Sequence, residues 1–73
     1  MKPAFIIYLP DLGCCIGTPG YNRSRPTSQL GHARIFATAE QAESYFPVWQ
    51  GSQVGEKYAG PHMVLPIAAV VED

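Results

Sequence analysis

Two stretches of this chain are apolar at consecutive positions, residues 5–9 and residues 63–71. A strand that alternates apolar and polar residues needs cover on one face only, whereas a continuously apolar strand is typically buried on both faces. Both stretches contain the β-branched residues that favour strands, so we predict a strand in each. Pro66 has no N–H to donate, so the last strand is expected at a sheet edge or at a bulge.

Residues 38–49 carry the pattern of an amphipathic helix. Thr38 and Gln41 fit a capping box, in which the threonine hydroxyl accepts from the Gln41 amide and the Gln41 side chain reaches back. Because Pro47 disfavours helical geometry at the residue before it, we predict that the regular helix ends at Phe46, with an irregular turn at residues 48–49. Apolar side chains recur along the segment at helical spacing, at Ala39, Ala42, Tyr45, Phe46 and Trp49.

Residues 32–37 alternate well enough for a second strand. The small side chains of Ala33 and Ala37 share one side with Ile35, which suits the close approach of a helix backbone. We therefore expect the helix to cover that side and to leave Phe36 on the opposite side.

Residues 10–32 contain most of the turn-forming residues of the chain. We expect Cys14–Ile16 to continue the first strand past a bulge at Gly13. Residues 18–21 have proline in second place and glycine in third place, which predicts a type II turn.

These elements follow the order β-β-α-β in one domain that comprises residues 1–73. A crossover through a helix joins parallel strands, and placing the most apolar strand between them gives the spatial order 2-1-3. We therefore predict an α+β fold, with a three-stranded, mainly antiparallel sheet and one helix packed on one of its faces.

Charge and length argue against several classes of function. The formal net charge is −1 and charged residues make up 15% of the chain, which argues against an electrostatic nucleic-acid binder. Residues 63–71 are too short for a membrane span, and residues 5–9 are too short for the apolar core of a signal peptide. We therefore expect a cytoplasmic protein that binds neither nucleic acid nor membrane.

The chain offers little that could carry catalysis. Cys14 and Cys15 are adjacent, with Cα atoms about 3.8 Å apart, whereas a relaxed disulfide spans roughly 4.4–6.8 Å, so we expect two reduced thiols. These cysteines, His32 and His62 lack the close pairing of zinc ligands. Residues 13–20 are rich in glycine but lack the lysine and hydroxyl of a phosphate-binding loop. We predict no catalytic, cofactor-binding or metal-binding residue and no enzymatic activity.

The predicted arrangement leaves one face of the sheet without cover. Fully burying a large apolar side chain is worth about 1.5–3 kcal/mol, and an exposed apolar patch generally marks an interface. Three covers are alternatives: residues 10–32 of the chain itself, a second copy in a homodimer, or a different protein. We predict that a partner protein is bound by residues of this face and of the adjacent loop, namely Ile6, Tyr8, Tyr21, Arg23, Arg25, Arg34 and Phe36.

The layout of the chain is similar to that of a known group of small proteins. Between an apolar first strand and an apolar last strand lies the strand-to-helix junction Ala33-Arg34-Ile35-Phe36, followed by Thr38-x-x-Gln41-Ala42. This arrangement resembles small orphan proteins of bacteriophages and prophages, among them anti-CRISPR proteins. The resemblance implies a non-enzymatic accessory protein that binds and inhibits or modulates a bacterial host protein, and it transfers no functional residue. The alternatives are a small homodimeric bacterial domain of housekeeping type and, less favoured, a thiol- or metal-dependent enzyme.

Overall fold

The computed structural model of the chain describes residues 3–20 and 23–68. Four strands form one sheet in the order β3-β2-β1-β4, and every neighbouring pair is antiparallel. The predicted α+β class is therefore confirmed, while the prediction of three strands is wrong. The elements are β1 (Pro3–Leu9), β2 (Cys14–Ile16), β3 (Pro26–Thr27), a 3-10 turn (Leu30–His32), α1 (Ala39–Gln50) and β4 (Met63–Ala68).

The first strand, β1, is central as predicted, but Cys14–Ile16 does not continue it. The chain reverses after Leu9 and returns as β2, so that Leu9 pairs with Cys14 in an antiparallel hairpin. The backbone N–H groups of Leu12 and Gly13 both donate to the Leu9 carbonyl, at 3.0 and 2.9 Å. Gly13 has a φ of 64°, a left-handed conformation that glycine adopts without steric cost and that lets this short loop close.

Residues 32–37 lie beside β1, opposite β4, but they form two isolated bridges rather than the predicted strand. The segment first pairs with the end of β2, where the Arg34 N–H donates to the Ile16 carbonyl at 2.9 Å. It then steps across to β1, where Phe5 and Phe36 exchange both backbone hydrogen bonds, at 2.8 and 2.9 Å. Because β2 already pairs with the C-terminal end of β1 along this edge, the segment pairs first with β2 and then with β1. No regular ladder forms.

The predicted faces of this segment are exchanged in the structure. Phe36 is buried under α1 and its ring lies 5.5 Å from that of Tyr45, whereas Ile35 is 46% exposed and Ala37 is also exposed. The Phe36 ring fills the space beneath the helix and packs against the Tyr45 ring, an aromatic contact that none of Ala33, Ile35 and Ala37 could make. The core under α1 consists of Ile7, Leu9, Ile16, Phe36, Ala42, Phe46 and Trp49.

Helix α1 begins where the sequence predicts and ends later. The Gln41 N–H donates to the Thr38 hydroxyl oxygen at 3.1 Å, which confirms Thr38 as the N-cap. The helix continues through Pro47 to Gln50 instead of ending at Phe46. Pro47 is exposed, so the carbonyl that it deprives of a donor lies on the solvent side of the helix. Among the described residues, no helix has the length and apolar character required to cross a bilayer.

The end of α1 is tied to two loops through Trp49, which is 1% exposed. Its indole N–H donates to the Ser24 carbonyl at 2.9 Å in a buried hydrogen bond. On the other side of the ring, Tyr58 lies edge-on at a centroid distance of 6.1 Å, and Gly55 packs against the indole. Residues 51–62 are therefore a packed loop rather than a free one.

Strand β4 lies at an edge of the sheet, as Pro66 predicts. Phe5 points its N–H and carbonyl toward Phe36, on the side away from β4. Its partner Pro66 therefore occupies a non-hydrogen-bonded position and directs its nitrogen to the open edge, where a missing donor breaks no bond in the sheet.

Two predictions involve residues outside the described part of the chain. The type II turn at residues 18–21 requires a positive φ at Gly20, which Gly20 does not have, so this prediction is wrong. Tyr21, the last residue of that turn, and residues 69–71 of the predicted last strand lie outside the described residues.

A pair of glycine substitutions tests the packing around Trp49. In Gly55→Ala the new Cβ would overlap the Trp49 carbonyl oxygen and lie 2.8 Å from two ring carbons, so we expect a loss of roughly 1–3 kcal/mol in unfolding free energy. The control is Gly51→Ala, whose Cβ would meet its nearest atom at an ordinary 3.5 Å and which we expect to be neutral or slightly stabilising. Urea denaturation followed by circular dichroism measures both, and equal midpoints would contradict the packing.

Candidate protein-binding surfaces

Helix α1 covers one face of the sheet, and the other face is partly exposed. Of the described helices and strands, only α1 packs against a sheet face, and it covers the face that carries Ile7 and Leu9. Because side chains alternate along β1, Ile6 and Tyr8 lie on the opposite face. We call this surface the open face; its described residues are Ala4, Ile6, Tyr8, Cys15, Thr27, Ala33, Ile35, Met63, Leu65 and Ile67, of which Ala4, Ile6, Thr27 and Ala33 are buried.

The exposed side chains of the open face lie at its periphery, around the buried Ile6. Ala4 and Ile6 are only 2% and 5% exposed, and Leu65 pairs with Ile6 on β4. Ile35 and Met63 are 46% and 48% exposed, and Tyr8 is half-buried. Contacts with a partner would therefore be made by the flanking side chains more than by Ile6. The described part of residues 10–32 leaves these side chains accessible.

Sequence reasoning missed Ile35 and Met63 as members of this face. Ile35 was assigned to the helix side because it alternates with two alanines. Met63 belongs to the face through its pairing with Tyr8, and this register depends on contacts between strands far apart in the chain. The available signal was that large side chains on neighbouring strands tend to pair. This signal does not decide whether Met63 or Val64 lies opposite Tyr8.

Arg34 and Phe36 lie on the other side of the sheet, with α1. The Arg34 guanidinium carbon is 4.4 Å from the centre of the Tyr45 ring and 5.3 Å from that of Phe36. Both distances fall within the range of a cation–π interaction. The guanidinium therefore packs on an aromatic pair at the helix surface, and the structure does not bring Arg34 or Phe36 together with Ile6 and Tyr8.

Arg23 and Arg25 form a third location, in the loop between β2 and β3. Arg23 and Ser24 have φ values of 60° and 69°, a conformation that non-glycine residues rarely adopt. The loop is held by the Trp49–Ser24 hydrogen bond and by the Gly17 N–H, which donates to the Arg25 carbonyl at 3.1 Å. Both arginine residues are exposed.

These arginines line one side of an open depression of about 960 Å³, and the loop after α1 lines the other. Lys57 stands on that second loop, which sequence reasoning did not connect with the arginines. No local pattern in the sequence indicates that the two loops lie side by side, since more than thirty positions separate Arg23 from Lys57. We call the depression the basic cleft; its lining residues are Arg23, Arg25, Pro26, Ser52, Gln53, Val54 and Lys57.

The candidate thiol and metal ligands do not form a site of their own. Cys14 and Cys15 are free thiols on β2. The His62 ring stacks on Phe46 at a centroid distance of 3.8 Å, and its Nε2 lies 2.6 Å from a Glu43 carboxylate oxygen. Within the described ranges, no group of three or more histidine, cysteine, aspartate or glutamate residues could hold a metal ion.

The surroundings of Cys15 change the acidity of its thiol. Burial, and then repulsion from the neighbouring Cys14 thiolate, raise the pKa of the Cys15 thiol above its ordinary value of 9.0. A raised pKa lowers the thiolate fraction at a given pH, so we expect Cys15 in a Cys14→Ser variant to be alkylated several-fold more slowly in the folded protein than in urea at the same pH. Equal rates of iodoacetamide labelling in the two states would contradict this.

The same shift makes stability depend on pH. The folded pKa lies above the unfolded one, so the contribution of Cys15 to stability is complete below pH 9.0 and is lost as the pH rises through the folded pKa. Cys15→Ser is the control for this pH dependence of the unfolding free energy. It removes the titrating group, so this loss of stability at high pH should be absent.

No family model, no curated protein and no solved structure matches the chain significantly.

Proposed function

We propose that the chain is a non-enzymatic protein-binding module and that the open face is its contact surface. The observation that carries this proposal is the exposure of Ile35 and Met63, 46% and 48%, on a face whose described residues carry no charge. Fully burying a side chain of this size is worth about 1.5–3 kcal/mol, whereas a domain of this length is stable by only about 4–11 kcal/mol. Because Ile35 and Met63 are already about half buried, a partner that covered both would add about 1.5–3 kcal/mol, which is a substantial fraction of the stability of such a fold.

Pro66 supports docking on the face rather than at the edge of the sheet. Its position directs a nitrogen without a hydrogen toward the open edge of β4, in the middle of the strand. A strand that paired with this edge would leave an acceptor without a donor there, and proline is one of the residues that protect edges against such pairing. The contact is thus made by side chains of the open face.

We further propose that the partner is a bacterial host protein, which the module inhibits or modulates as a phage- or prophage-type accessory protein. The resemblance of the layout to phage orphan proteins supports this step, as does the small size of the chain. The alternative is a homodimeric housekeeping domain. The lack of charge on the open face favours it to the same extent, because two copies stacked face to face would bring no like charges together.

Lysine substitutions on the open face test the proposal. Ile35→Lys and Met63→Lys place a charge where the side chain is already half exposed, so we expect little loss of stability but at least a tenfold loss of affinity for the partner. Val48→Lys is the control, because Val48 is 65% exposed and lies on α1, on the other side of the sheet. The measurements are capture of one defined bacterial protein from lysate by the tagged chain, its affinity once identified, and light scattering of each variant.

The outcomes separate the candidates. Binding that is lost in Ile35→Lys and Met63→Lys but kept in Val48→Lys supports a foreign partner. A wild-type dimer that Ile35→Lys converts to a monomer, without capture of another protein, identifies the homodimer. A monomeric wild-type chain whose binding is equal in all variants, or that binds nothing, would overturn the proposed use of the open face.

A further inference from the structure

We propose that the basic cleft is a second binding site, which takes an acidic protein segment through the carboxylates of clustered aspartate or glutamate residues. The cleft lies on the α1 side of the sheet, so this site is separate from the open face and does not depend on it. Its two sides come from loops distant in sequence, the loop that carries Arg23 and Arg25 and the loop that carries Lys57.

The cleft concentrates positive charge that nothing described neutralises. Arg23, Arg25 and Lys57 are three of the five lysine and arginine residues of a chain whose net charge is −1. None of the three lies within ion-pair distance of a carboxylate in the described part of the chain. Glu56 precedes Lys57 and is exposed, but it does not line the cleft. Like charges gathered in one depression repel one another, and an anionic ligand would relieve that repulsion.

The arginine side of the cleft is held in a costly conformation. A non-glycine residue in the left-handed region typically costs of the order of 1–3 kcal/mol, and Arg23 and Ser24 both adopt it. Ser24 is 4% exposed, and its carbonyl accepts the Trp49 indole hydrogen bond. The core of the protein therefore fixes the backbone from which Arg23 and Arg25 project.

The lysine side of the cleft is anchored by the same part of the core. Tyr58, next to Lys57, contacts the ring of Trp49 and that of Phe46 edge-on, with centroids 6.1 and 6.5 Å away. The Gln50 side-chain amide donates to the Tyr58 carbonyl at 3.1 Å. Because both loops are held in place before a ligand arrives, little backbone ordering opposes binding.

The chemistry of the lining favours carboxylates on a polypeptide. The planar guanidinium groups of Arg23 and Arg25 can each donate two parallel hydrogen bonds to a carboxylate. Gln53 adds an amide that can pair with a peptide backbone, and Val54 offers an apolar wall for the stems of acidic side chains. Single-stranded nucleic acids are bound on aromatic rings as well as on cations, and no aromatic ring is present among the described lining residues.

Binding of a fluorescent oligoglutamate peptide, measured by anisotropy at low salt, tests this site. We expect Arg25→Gln and Lys57→Gln each to weaken binding about three- to tenfold, and the double variant to weaken it more than tenfold. Arg34→Gln is the matched control: it removes the same charge from the aromatic pair beside α1, and we expect an affinity within twofold of wild type. Binding should also fall steeply between about 0.1 M and 1 M salt.

Two further variants, and binding of oligothymidylate to the wild-type chain, complete the test. Ile35→Lys should bind the peptide as wild type does, which separates a failure of this site from a failure of the open face. Lys57→Glu lowers the charge of the lining from +3 to +1, so it should weaken binding of the oligoglutamate peptide more than Lys57→Gln does. The proposal is overturned if Arg34→Gln weakens binding as much as Arg25→Gln, if no binding occurs at millimolar peptide, or if oligothymidylate binds the cleft more tightly.

Discussion

The hydrogen bond from the Trp49 indole to the Ser24 carbonyl connects parts of the chain that are 25 positions apart. A buried indole N–H needs an acceptor, and this one is supplied by a loop whose backbone is strained at Arg23 and Ser24. Gly55 leaves room for the other side of the ring. One aromatic residue at the end of α1 thus completes the core, compensates the strained loop and holds both sides of the basic cleft.

The size of the chain accounts for the open face. The central strand β1 is apolar on both faces, yet α1 is long enough to cover only one of them. Ile7 and Leu9 are fully buried beneath the helix; on the opposite face Ala4 and Ile6 are also buried, but Tyr8 is only half-buried and Ile35 and Met63 are exposed. The sheet therefore separates two surfaces of different chemistry: an uncharged apolar face on one side, and a depression rich in cations beside the helix on the other.

Local signals were sufficient for the elements that short-range chemistry controls. The apolar run of β1, the N-cap at Thr38 and the edge position that Pro66 imposes on β4 were all predicted, because each depends on a few adjacent residues. Two local signals were overruled by packing. Pro47 did not end α1, since Phe46 and Trp49 are both buried on the inner face of the helix. Phe36 faces the helix, although the pattern of alanines predicted that Ala33, Ile35 and Ala37 would do so.

Composition and periodicity alone established that this chain has more apolar strand surface than one helix can hide, where its helix begins and where its central strand ends. They could not establish which alternate set of side chains faces the helix, because alternation is equally satisfied by either choice. Nor could they bring Arg25 and Lys57 together, or place Met63 opposite Tyr8. Strand register and the packing of loops around Trp49 determine these features, and both arise from contacts between residues distant in the chain.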